Sequence, residues 1–183
     1  ILKANDGDST PYGNDQISTE LQDKFSEIFE KEVIVFPTAS GTAANALALS
    51  TMTPSFGNIY CHKLSHINTD ECGAPEFYTG GGKLVALQGV DGKITADELD
   101  QSISGKGIVH HTQPSSISIT QVCETGEVYQ IDEIKKISDV AHKHNLNMHM
   151  DGARFANALV SLDVTPAEMT WKSGIDVLSF GAT

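Results

Sequence analysis

Three short segments hold side chains suited to binding anions, pairing with a cation or moving a proton. The first is Thr38-Ala39-Ser40-Gly41-Thr42-Ala43-Ala44-Asn45, which follows an apolar run and opens an Ala- and Leu-rich stretch. Free backbone N–H groups at a helix start bind anions, and the helix dipole adds to the attraction. Gly41 permits close backbone approach, and Ser40 and Thr42 carry hydroxyl donors. A plain Ser or Thr N-cap on a tight turn would read the same way.

The second segment is Met148-His149-Met150-Asp151-Gly152-Ala153-Arg154. Asp151 closes an apolar strand pattern, where a carboxylate can pair with a buried cationic nitrogen such as a protonated pyridine. Arg154 follows in the first turn of a helix and can offer a planar fork to a carboxylate or phenolate oxygen. The alternative is structural: Asp151 caps the next helix and Arg154 is its salt-bridge partner. The third segment runs from Ser65-His66-Ile67-Asn68 to Glu71-Cys72-Gly73. His66 sits after a strand, where an imidazole can cover a flat ring or move a proton, or can serve as a hydrogen-bonded structural histidine. A metal pair of His62 and His66 is discounted, because no helix supports the spacing and no HExxH pattern accompanies it. His142 and His144 suit the end of a helix, where its dipole favours them.

These residues need a frame. Residues 17–31 carry Ile17, Leu21, Phe25, Ile28 and Phe29 on one helical stripe. Helices are further predicted over 41–50, 95–103, 131–144, 153–161 and 165–171, the third from Ile131, Ile134, Ile137, Val140 and Ala141 on one face. Strands are predicted over 33–36, 58–61, 83–87, 108–111, 116–120, 146–150 and 175–180, with a turn over 90–93. Alternating strands and helices predict an α/β fold with a mainly parallel sheet covered by helices. Ligands of such sheets bind outside the carboxyl ends of the strands, where all three segments fall.

Length and charge narrow the function. The 183 residues suffice for one domain with a substantial core. The formal net charge of −12 excludes a nucleic-acid partner, which needs clustered Lys and Arg. No run is long and apolar enough to span a bilayer. Cys61, Cys72 and Cys123 form no CxxC pair and suit free thiols in a reducing compartment, the cytosol or an organelle matrix, and a cytoplasmic setting is expected.

Taken together and in this order, the segments resemble the threonine aldolase branch of the aminotransferase-like, fold-type I, pyridoxal-phosphate (PLP) enzymes. The resemblance covers nearly the whole chain. It runs through Tyr12-Gly13-Asn14-Asp15, Ser40 to Asn45, His66 to Phe77, Ser118 to Gln121, Met150 to Asn157 and Leu178 to Thr183. It implies a three-layer α/β/α large domain spanning residues 1–183 in part, with a C-terminal small domain outside the chain. It implies that Ser40, Gly41 and Thr42 hold the cofactor phosphate, that His66 stacks on the ring, and that Asp151 pairs with the ring nitrogen. Arg154 would touch the ring hydroxyl or the substrate side, and Thr183 would add a cofactor contact. His66, Asp151 and Arg154 become the catalytic set, and Tyr12 lies near the neighbouring subunit's site of a homodimer or homotetramer. No metal is implied.

The implied reaction is retro-aldol cleavage of L-threonine, L-allo-threonine and related β-hydroxy-α-amino acids to glycine and an aldehyde. Another fold-type I β-eliminating lyase is the alternative, as is a non-catalytic fragment. Two departures from the family matter. The lysine that anchors the cofactor, expected directly after Thr183, is not in the chain. Some relatives also carry a histidine near the turn at Gly126, where this chain has Cys123, Glu124 and Thr125. Glu124, a water or His66 is then the base.

Overall fold

The amphipathic helix predicted over residues 131–144 forms with those bounds, and so does the strand over 83–87. The structure, a computed structural model, describes residues 6–181. It divides into two units, Ile1–Pro37 and Thr38–Thr183.

The first unit contains helix α1 (Gln16–Ile28). Asp15 caps it, accepting from the Ser18 backbone N–H at 2.9 Å and from the Ser18 hydroxyl at 2.7 Å. The strand expected over residues 33–36 does not form, and Ile34 is 73 % exposed. A short apolar run becomes a strand only when a neighbour takes up its backbone groups, and among the described residues no strand pairs with this run.

The second unit carries α2 (Gly41–Met52), β1 (Gly57–His62), α3 (His66–Thr69), α4 (Ala74–Tyr78) and β2 (Lys83–Leu87). It continues with α5 (Ala96–Ser102), β3 (Gln113–Thr120), α6 (Ile131–His144), β4 (Asn147–Gly152), α7 (Phe155–Leu162), α8 (Pro166–Met169), a 3-10 turn (Trp171–Ser173) and β5 (Val177–Phe180). The strand expected over 108–111 is instead a looped turn, with Val109 92 % exposed. The Gln113 side chain holds that loop, donating to the carbonyls of Gly105, Ile108 and His111 and accepting from the Gly107 N–H. The two short helices α3 and α4 carry no sequence periodicity that foretold them.

All strand pairs are parallel, in the order β2-β1-β3-β4-β5. The order reverses between β1 and β3, the kind of point where α/β sheets take ligands. Successive side chains along a strand alternate between faces. Ile59 and Cys61 of β1 join Leu49 of α2 and Ile67 of α3 in one apolar cluster. Ser118, His149 and Asp151 share that α2 side, as the Asn45–Asp151 hydrogen bond requires. Ile117, Ile119, Met148 and Met150 take the opposite face, where α6 packs with Ile134, Ile137 and Ala141 buried. Helices on both faces of a parallel sheet give three α/β/α layers. No helix among the described residues is long and apolar enough to cross a membrane.

Candidate active site

Asp151 is the penultimate residue of β4 and is 4 % exposed. Its Oδ1 accepts from the Ala153 backbone N–H at 3.0 Å and its Oδ2 from Asn45 Nδ2 at 3.0 Å. Both donors are neutral, and among the described residues Asp151 has no ion-pair partner. Gly152 follows because nothing larger fits: a Cβ there would lie 2.7 Å from Leu178 and 2.8 Å from the Ser179 carbonyl. Its small size lets β4 and β5 close together beside Asp151.

Asn45 belongs to α2, one turn and about 6 Å along the axis from Gly41. Its amide nitrogen also donates to Glu71 Oε1 at 2.7 Å, and the same Glu71 oxygen lies 2.9 Å from His66 Nδ1. His66 opens α3, directly after the turn that ends β1. Glu71 arrives one turn later, its side chain fully enclosed while the imidazole is 45 % exposed. Glu71 raises the pKa of His66 above its ordinary value by accepting its hydrogen bond, against some loss to burial. Two acceptor atoms of this cluster, Asn45 Oδ1 and Glu71 Oε2, are buried without a partner.

Behind Asp151 stands His149, two residues earlier on the same face and fully buried. Its ring bridges three strands, with Nδ1 2.9 Å from Ser118 Oγ and Nε2 2.9 Å from Ser179 Oγ. Burial pushes its pKa down to about 4, so it stands neutral between two hydroxyls, although the nearby Asp151 charge pulls the other way.

Ser40 caps α2, its Oγ accepting from the Ala43 N–H at 3.2 Å. Among the described residues no acceptor meets the N–H groups of Gly41 and Thr42. A Cβ on Gly41 would meet nothing within 4 Å, so that face of the turn is open. The capping reading and the anion reading therefore coexist here: the hydroxyl caps, and the backbone donors stay free.

Arg154 does not pair with Asp151. Its Nε donates to the Val122 carbonyl at 2.9 Å and its guanidinium meets Glu124 Oε1 at 3.0 Å. That pair borders Asp151 through the chain itself, since the Gln121 N–H donates to the Asp151 carbonyl. His62 turns to other work, its Nδ1 accepting from the Leu64 N–H at 3.1 Å. Among the described residues no cluster of His, Cys, Asp and Glu suits a metal ion. Tyr12 lies in the first unit and is 96 % exposed, while Thr183 lies outside the described residues.

The fold thus gathers Asp151, His66 and the opening of α2, and sets Arg154 with Glu124. It adds three residues given no role from sequence. His149 was legible in principle from its two-residue spacing to Asp151, which puts both on one face of a strand. Asn45 showed as a lone polar side chain within an Ala- and Leu-rich helix. Glu71 gave no signal beyond its place five residues after His66.

Known proteins resemble this chain in sequence and fold. A low specificity L-threonine aldolase of Pseudomonas sp. (strain NCIMB 10558) is 45 % identical over 181 residues, 99 % of this chain and 52 % of that protein. One from Pseudomonas aeruginosa is 42 % identical over 183 residues, 100 % of this chain and 53 % of that protein. The chain therefore spans about half the length of these curated relatives. A threonine aldolase structure from Leishmania major superposes with a TM-score of 0.85 at 27 % identity, over 92 % of this chain and 49 % of that one. The model of the beta-eliminating lyase family matches residues 1–183, and the chain belongs to that family.

Proposed function

We propose that the chain is most of the PLP-binding large domain of a carbon–carbon lyase, and that the full-length protein cleaves L-threonine, L-allo-threonine and related β-hydroxy-α-amino acids to glycine and an aldehyde. Asp151 carries this reading: a buried carboxylate held by two neutral donors and, among the described residues, in no ion pair, at the carboxyl edge of a parallel sheet. An isolated buried charge is costly and needs a partner. A cationic ring nitrogen supplies one. The open, unspent N–H groups at Gly41 and Thr42 fit the anionic end of the same molecule. The names of the Pseudomonas relatives support the reaction.

Pyridoxal phosphate, when bound, supplies a cationic ring that takes up the electrons of the broken Cα–Cβ bond. The protein residues do the rest. Asp151 would hold the proton on the ring nitrogen, with Asn45 and Ala153 keeping the carboxylate in place. Ser40, Gly41 and Thr42 would bind its phosphate, and His66 would lie against the ring. His66 presents its Nε2 outward while Nδ1 faces Glu71, so Nε2 takes the β-hydroxyl proton. Glu124 is the weaker candidate for that base because Arg154 already occupies it. Arg154, directed by Glu124 and the Val122 carbonyl, meets the ring hydroxyl or the substrate.

We further propose a homodimer or homotetramer in which Tyr12 reaches the neighbouring subunit's site, and a cytoplasmic setting. The three cysteines are free, and burial raises the thiols of Cys61 and Cys123 to about 11 and about 12. The test is product analysis on full-length protein given L-threonine and L-allo-threonine. Glycine and acetaldehyde are expected. An α-keto acid and ammonia would instead assign a β-eliminating reaction, and a protein without cofactor absorbance would remove the reading.

A further inference from the structure

An amide group has two N–H hydrogens, and both of those on Asn45 Nδ2 are spent on carboxylates: Glu71 Oε1 at 2.7 Å and Asp151 Oδ2 at 3.0 Å. The opposite amide orientation would aim a carbonyl at two acceptors, so the charges themselves fix which way Asn45 points. A carboxylate has only lone pairs to offer, so as an acceptor Glu71 takes the 2.9 Å contact from a proton on His66 Nδ1. The imidazole plane is thereby set from behind, and Nε2 is left facing outward. Glu71 is fully enclosed, so it cannot swing into solvent and lose that geometry.

We propose that Glu71 is a positioning residue for the reaction proposed above, joined through Asn45 to Asp151 so that the His66 imidazole and the Asp151 carboxylate act as one buried unit. The inference rests on that reading of the site. It assigns Glu71 two tasks: fixing the Nδ1–H tautomer of His66, and linking the charge on His66 to whatever cation Asp151 holds. Coupling of this kind is reciprocal. A cation placed against Asp151 offsets one negative charge of the cluster, and His66 then gives up its proton more readily. The carboxylates acting on His66 are Glu71, Asp151 and Asp70, and Asn45 of α2 carries no titration of its own.

The test uses full-length protein with labelled histidine, the His66 resonance being assigned by its loss in His66→Ala. In the wild type, His66 titrates above the ordinary histidine value without cofactor and moves to lower pH when pyridoxal phosphate is added. In Glu71→Gln the His66 titration moves down in the cofactor-free protein. The acid limb of the kcat/KM profile follows it, with a loss of roughly ten- to a hundredfold, the size of one charge-assisted hydrogen bond. Bound-cofactor absorbance is retained. In Asn45→Ala the Glu71–His66 contact persists but the response of His66 to cofactor shrinks. If Glu71→Gln fails to fold by circular dichroism, the Asn45→Ala titration decides alone. An unmoved His66 titration in the readable variant overturns the inference, even where turnover falls. If the wild type neither binds cofactor nor cleaves threonine, the functional reading fails, while the cofactor-free titrations still judge the role of Glu71.

Discussion

Two buried polar networks lie at the carboxyl edge of this sheet, and they end differently. Around Gln121 every partner is found within the protein. Its amide nitrogen donates to the Tyr129 carbonyl and its oxygen accepts from the Tyr129 N–H, both at 2.9 Å. The Tyr129 hydroxyl accepts from the Ile94 N–H at 2.7 Å, and Lys93 meets both oxygens of Glu133 at 2.8 Å. Around Asp151 the network stays open: two carboxylates share one amide, and among the described residues two acceptors lack partners and Asp151 has no ion pair. A closed network holds a fold together. An open one, kept buried at the cost of unpaired atoms, marks where something else is to bind.

The contrast breaks most sharply at Asp151. In full-length protein, Asp151→Asn is expected to lower kcat for L-threonine by about 10²–10³-fold or more, read as glycine formed, with little loss of stability. Near-normal turnover would put Asp151 among the structural residues. The closed network should behave in the opposite way. Gln121→Leu strands the buried N–H and C=O of Tyr129 and is expected to cost roughly 3 kcal/mol in urea unfolding, with kcat of the folded fraction little changed.

The two histidines on the open side respond to pH in opposite directions. His149 is depressed in the folded state from 6.5 to about 4, so between those values the unfolded chain binds more protons. Stability is therefore full above about 6.5 and falls as pH drops toward about 4, by an amount on the order of a few kcal/mol. His66 runs the other way: its raised pKa adds stability that is complete below 6.5 and is lost as pH climbs through the raised value. Urea midpoints between about pH 4 and 8 should show the acid-side slope flatten in His149→Asn; an unchanged slope would deny its burial as a neutral base. The smallest effect is expected at Glu124→Gln: a stability change under about 1 kcal/mol, for a half-exposed pair, and turnover within about threefold of wild type. A hundredfold loss would make Glu124 the base instead of His66.

The fold was legible where a pattern is local. Residues 131–144 declare a helix by periodicity, and 83–87 declare a strand within a βαβ order. Residues 33–36 and 108–111 look equally strand-like but find no partner strand among the described residues, and pairing is not a local property. The site divides on the same line. Asp151 and His66 are readable as residue types placed just after strands. What joins them is not: Asn45 lies 106 residues from Asp151 and 26 from Glu71, and only the folded sheet brings the three together. Arg154 reads equally well as a partner for Asp151 or for a ligand oxygen; its guanidinium meets Glu124, 30 residues away, and not Asp151.

The central claim is that the buried Asp151 carboxylate keeps a pyridine nitrogen charged. Nitrogen-15 NMR of ring-labelled pyridoxal phosphate bound to the full-length protein tests it directly. The expected result is a protonated ring nitrogen throughout the neutral pH range in the wild type, lost in Asp151→Asn. A neutral ring nitrogen in the wild type, or one whose protonation ignores the substitution, would contradict the account.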